Sequence, residues 1–155
     1  MLPSPIDTSF RLSVTTSTLL VISCLFTLAS PGCTHFERTR ECHALAALIN
    51  PELDAIERLG KSRSHDASAL SDISVRYATL ARKVGELSVE DDELGPVLTE
   101  YRGSLLRAAI HTRALAEGLR SNDTVLVSKE RGELQRLSRK ERVQMSQLAG
   151  HCRSG

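Results

Sequence analysis

The chain's 155 residues carry 20 Lys and Arg against 19 Asp and Glu, a net charge of +1, with two Tyr, three Phe and no Trp. So even a balance offers no electrostatic footprint for nucleic acid or an anionic surface, and so few aromatic rings exclude a stacking platform for bases or sugars. No nucleic-acid partner is expected.

The first element is a leader. The apolar run over residues 19–29 is 11 residues long, short of the roughly 20 that span a bilayer and suited to a cleaved signal peptide. Only Arg11, against Asp7, stands ahead of it as an n-region cation. Two cuts compete. Thr27-Leu28-Ala29 offers small residues for release of a soluble, secreted protein beginning at Ser30, whereas Ser30-Pro31-Gly32-Cys33 resembles a lipoprotein box whose cysteine takes the acyl chains. A second box, Val21-Ile22-Ser23-Cys24, would leave the apolar residues 25–29 directly after the anchor, where a polar tether is expected. Cysteine parity favours the box at Cys33: acylating it after discarding Cys24 leaves Cys42 and Cys152 free to pair in an oxidising compartment. The expected organisation is a signal peptide over residues 1–32, a lipidated tether over 33–41 and a folded domain over 42–152. The location is then the cell envelope, with the domain held to a membrane through Cys33.

The folded part is read from its apolar period. A first stripe, Cys42, Leu45, Ile49, Ile56 and Leu59, is interrupted by Asn50-Pro51, where a kink or break is expected. Gly60-Lys61-Ser62-Arg63-Ser64 reads as the polar break that follows, and His65-Asp66 as the start of the next helix. The second stripe runs Leu70, Ile73, Tyr77, Leu80, Val84 and Leu87, and the third Leu98, Tyr101, Leu105, Ala108, Thr112, Leu115 and Leu119. Both keep the 3-4 spacing of helices packed at shallow angles. Between them Ser88 and Asp91 resemble a capping box, and Pro96 fits a first helical turn. Ser121-Asn122-Asp123 is a turn that ends in an N-cap, and the last stripe holds Leu134, Leu137, Met145, Leu148 and Cys152. The fold expected is all-α, an up-down-up-down four-helix bundle. That topology brings the first helix's start beside the last helix's end, so Cys42 and Cys152 meet; bridging a loop of about 110 residues stabilises the native state by roughly 4 to 5 kcal/mol in the chain-entropy account.

Four site readings follow. Cys42-His43 and His151-Cys152 could supply two sulfurs and two nitrogens to zinc, but adjacent helical residues diverge by about 100°, and a disulfide asks only for the sulfurs; no metal is expected. Haem lacks a Cys-x-x-Cys-His, di-iron lacks its repeated Glu-x-x-His, and His111 reads as a flanking or exposed residue, so no cofactor is expected. Glu141 falls where the fourth stripe wants an apolar residue. It either points inward, into a polar core with Asn50, Tyr77, Tyr101 or Arg76, or the stripe rotates so that Leu134 and Leu137 face in and Glu141 reaches the rim; the rotated stripe is the expectation. Nucleophile elbows, zinc-protease motifs and phosphate loops are missing, so no enzyme is expected.

Cys42, the run Leu48-Ile49-Asn50-Pro51-Glu52-Leu53-Asp54-Ala55-Ile56, Tyr77-Ala78-Thr79-Leu80-Ala81, Glu100-Tyr101-Arg102, Arg131-Gly132-Glu133-Leu134 and the closing Cys152 together resemble small uncharacterised exported proteins of myxobacterial type, often predicted lipoproteins. The resemblance implies a four-helix domain with its terminal cysteines paired and carries no activity or substrate. The functional expectation is a non-enzymatic envelope lipoprotein, structural or binding an unknown envelope protein. The alternative is a periplasmic small-ligand or metal sensor with a cavity near Thr112, Ala108 and Glu141.

Overall fold

A computed structural model describes residues 32–63 and 65–153. They form four helices, α1 (Gly32–Arg63), α2 (Ala67–Gly85), α3 (Leu94–Arg120) and α4 (Thr124–Arg153), and no strand among the described residues. Each helix packs on its neighbour in the chain, most extensively α2 on α3 and α3 on α4, while α1 and α4 touch only sparsely. This is the expected up-down-up-down four-helix bundle, with its loosest seam between first and last helix. No helix among the described residues is long and apolar enough to cross a membrane.

The signals that stop and start helices mostly act as read. Asp66 caps α2, its Oδ1 accepting from the backbone N–H of Ser68 at 2.8 Å and the Ser68 hydroxyl at 2.7 Å. Those Ser68 bonds, with Arg63 beside them, hold its carboxyl down at about 2. Pro96 sits in the first turn of α3. At the α3–α4 turn Asn122 takes the left-handed conformation with φ 55°, and the N–H of Asp123 returns to the Gly118 carbonyl at 2.9 Å, the bond pattern that closes a helix end. Asp123 then caps α4 by accepting from the Leu126 N–H at 2.9 Å.

Three local expectations are corrected. α1 passes through Asn50-Pro51 as one continuous helix, so of the kink or break expected there the break does not occur. Pro51 deprives only the exposed Ala47 of a partner, whereas Ile49 and Ile56 on either side are buried, and that burial holds the helix together. The polar stretch from Gly60 does not end α1, which continues to Arg63 while the Ser62 hydroxyl bonds the Arg58 carbonyl at 2.8 Å. Ser88 and Asp91 form no capping box: Asp91 alone caps the entry to α3, its Oδ1 accepting from the N–H groups of Glu93 at 2.9 Å and Leu94 at 3.0 Å. In addition, α1 begins at Gly32, so the stretch 33–41 read as a tether is helical.

The core is split along the bundle axis. One cluster holds Leu45, Ile49, Leu80, Leu98, Tyr101 and Leu148, the other Ile56, Leu70, Ile73, Leu115 and Ala116, and Tyr77 packs against both. On α2 and α3 the layer between them contains small and polar groups, among them buried Ser74, whose hydroxyl donates to the Ala109 carbonyl at 2.8 Å, with Ser104, Ala108 and Thr112. This layer frames the middle of α4.

Candidate functional site

Two places concentrate chemistry. The first is the bundle end where α1 starts and α4 finishes. Cys42 and Cys152 are bonded there, S–S 2.04 Å with Cα atoms 5.8 Å apart, so the zinc arrangement of Cys-His pairs has no free sulfur to use. Beside the bridge, Asp91 Oδ2 accepts from Arg38 Nε at 3.1 Å and lies 3.0 Å from His151 Nε2, while Glu93 lies 3.5 Å from His151 Nδ1. Burial works to raise the Asp91 carboxyl, but the backbone donors of Leu94 and Glu93, then His151 and Arg38, outweigh it and the group is held low. Asp91, Glu93 and His151 offer ligand atoms within 4.8 Å of one another. Both Asp91 oxygens are already engaged, and a guanidinium stands where a metal would need to approach, so the cluster acts as an ionic clasp. It ties the α2–α3 loop to the ends of α1 and α4 around the disulfide.

The second place is the mid-bundle layer. Glu141 does not reach the rim: its stem is half-buried, but carboxyl Oε1 is fully enclosed and without a hydrogen bond, as are the Tyr101 hydroxyl and Gln144 Oε1. Leu137 and Leu148 face inward as expected, and Glu141 goes in with them. Desolvation pushes its carboxyl up to about 7. Burial, with the Glu141 charge adding to it, raises the Tyr77 and Tyr101 phenols in turn. Tyr77, Tyr101 and Glu141 thus form the inward polar group that the sequence offered as the other reading. The remaining residues named with them do not join: Arg76 pairs with Glu52 at 3.2 Å, and Asn50 lines the α1–α4 seam with Met145, Leu148 and Cys152. Glu52 is held low chiefly by its hydrogen bond from Lys83 at 2.7 Å.

One pair went unread in the sequence. Glu130 is 4% exposed, and its Oε2 lies 2.5 Å from Nδ1 of His111, which is itself mostly covered rather than flanking. Glu130 sits three residues after Val127 and four before Leu134, apolar residues packed on the core, so the stripe marked the position while the residue type hid it. Two clefts lie elsewhere, one of about 200 Å³ between α1 and the α2–α3 loop, lined by Glu41, Ala44, Leu87 and Val89, and a shallow one of about 420 Å³ at the α3–α4 turn. Neither is lined by Glu141, Ala108 or Thr112.

Residues 1–31, with Cys24 and nearly all of the stretch expected to be a signal peptide, lie outside the described residues, as does the Cys33 side chain. No family model, curated protein or solved structure matches the chain.

Proposed function

We propose that this chain is a non-enzymatic envelope lipoprotein, a disulfide-clasped helical module held to a membrane through acyl chains on Cys33 and engaging another envelope protein with its outer faces. The Cys42–Cys152 bond carries the reading. Such a bond persists outside the cytosol, and it accounts for the last two of the four thiols, leaving Cys33 as the cysteine that follows the small residues of the leader. α1 begins at Gly32, so the proposed anchor residue is nine residues ahead of the bridged Cys42 on the same helix.

Two measurements test it. The mass of the N-terminal peptide from purified protein should show diacylglycerol and acyl chains on Cys33; a peptide beginning at Ser30 with an unmodified thiol overturns the anchor. Crosslinking in the native envelope should return one identified protein reproducibly. A co-purifying small molecule or metal without any protein would instead establish the sensor alternative.

A further inference from the structure

α4 carries seven Lys and Arg and three Glu, and along the sequence its run Arg136, Arg139, Lys140, Glu141 and Arg142 reads as a basic-biased helix side or simply a solvated one. The fold separates them. Glu130 is buried against His111, the Glu141 carboxyl is enclosed in the core, and Glu133 is half-buried and tied to Arg136 at 2.8 Å. Lys129, Arg131, Arg136, Arg139, Arg142 and Arg153 are all exposed, and no exposed Asp or Glu remains on the helix. Arg139, Arg142 and Arg153 take part in none of the ion pairs among the described residues.

The cations are also aligned. Arg131, Gln135, Arg139, Arg142, Ser146 and Arg153 follow one another at intervals of three, four or seven residues, so they line the face opposite the core over about 33 Å of helix. Ser128, Gly132, Ser146 and Gly150, all small, lie along or beside this line and let another backbone come close.

We infer that the outer face of α4 is a docking surface for an acidic polypeptide segment, whose carboxylates pair with the aligned guanidinium groups. Arg is the side chain suited to this, because its fork takes a carboxylate bidentately. An anionic bilayer fits less well. The only large apolar side chains exposed on α4 are Val125 and Val143, too small a set to insert among lipid chains. Moreover, the bundle end that holds the disulfide carries exposed Glu86, Glu90, Asp92 and Glu93, which an anionic surface would repel. The inference rests on the protein-binding reading above and names the partner's chemistry.

The test is fluorescence anisotropy of a labelled glutamate-rich peptide with the oxidised full chain, beside co-sedimentation with phosphatidylglycerol–phosphatidylcholine vesicles. The peptide should bind with an affinity that falls as salt rises, and R131S/R139S/R142S should weaken it about tenfold, what three exposed ion pairs amount to. R40S/R58S/R113S removes equal charge from exposed positions elsewhere and should change it less than about twofold. Absence of peptide binding, equal loss in both triple variants, or vesicle binding tighter than peptide binding overturns the inference. A photo-crosslinker at Gln135 should capture the envelope partner; capture from Val75 on α2 instead overturns this inference while leaving the protein-binding reading intact.

Discussion

Replacing Glu141 by Gln removes a core carboxyl whose ionisation the fold opposes while keeping its shape. In the unfolded chain this group titrates near 4.5, and in the bundle near 7. Between those values the folded state binds more protons than the unfolded one, so the wild-type group loses stability as pH rises from about 4.5 to about 7 and loses no more beyond it. At 1.36 kcal/mol per pH interval the loss amounts to about 3 kcal/mol at pH 8. Gln carries no charge, but its amide brings donors that the enclosed site does not satisfy, a cost of about 1 kcal/mol at every pH. The variant should therefore be about 2 kcal/mol more stable than wild type near pH 8 and up to about 1 kcal/mol less stable near pH 4.5. Urea unfolding with the disulfide intact, repeated across that range for both proteins, reads this difference. Taking the difference cancels Glu52, Asp91 and Glu133, whose lowered values act in the opposite direction as pH falls. A stability difference independent of pH would refute the enclosed carboxyl.

Reducing the Cys42–Cys152 bond releases a closed loop with a sequence separation of 110 and should cost about 4 to 5 kcal/mol in denaturant unfolding. Amide exchange should rise first in α1, which meets α4 only sparsely. His111→Ala leaves the buried Glu130 with only the longer contact to exposed Lys129 at 3.8 Å and should destabilise by about 3 kcal/mol, whereas H111A/E130L should recover most of that; a double-mutant cycle on thermal melts decides it. Pro51→Ala returns an N–H to the interior of α1 and should stabilise by about 2 kcal/mol, measured as a raised urea midpoint.

The clasped end was legible before any coordinates. Heptad spacing in Leu70 to Leu87 and Leu98 to Leu119 implied packed helices, the short turns between stripes implied that they run antiparallel, and four antiparallel helices bring Cys42 and Cys152 to one end. Asp66 and Asp123 were readable as caps because a carboxylate just before a helix answers orphan N–H groups whatever the rest of the fold does. The ion cluster beside the disulfide was not readable. Arg38, Asp91 and His151 stand far apart in the chain, and no period relates them.

Local signals failed where burial overrode them. Asn50-Pro51 argues for a kink or a break, yet α1 runs on through the pair with Ile49 and Ile56 buried on either side. Glu141 was expected at the rim of α4 with Leu134 and Leu137 facing in, but at 100° per residue it falls between Leu148 and Leu134 on the same face, so burying Leu137 and Leu148, about 1.5 to 3 kcal/mol each, carries it inward. The same rotation carries Glu130 inward and leaves the cations outside, which is why the charge asymmetry of α4 is invisible in a net charge of +1.

Sequence alone determined the helices, their order and the meeting of the two cysteines, because apolar period and cap chemistry act over a few residues. Which way each polar residue on a stripe points was left to tertiary structure. A helix has a single rotation about its axis, and that rotation minimises the sum over all its side chains, so individual polar residues are placed by their apolar neighbours.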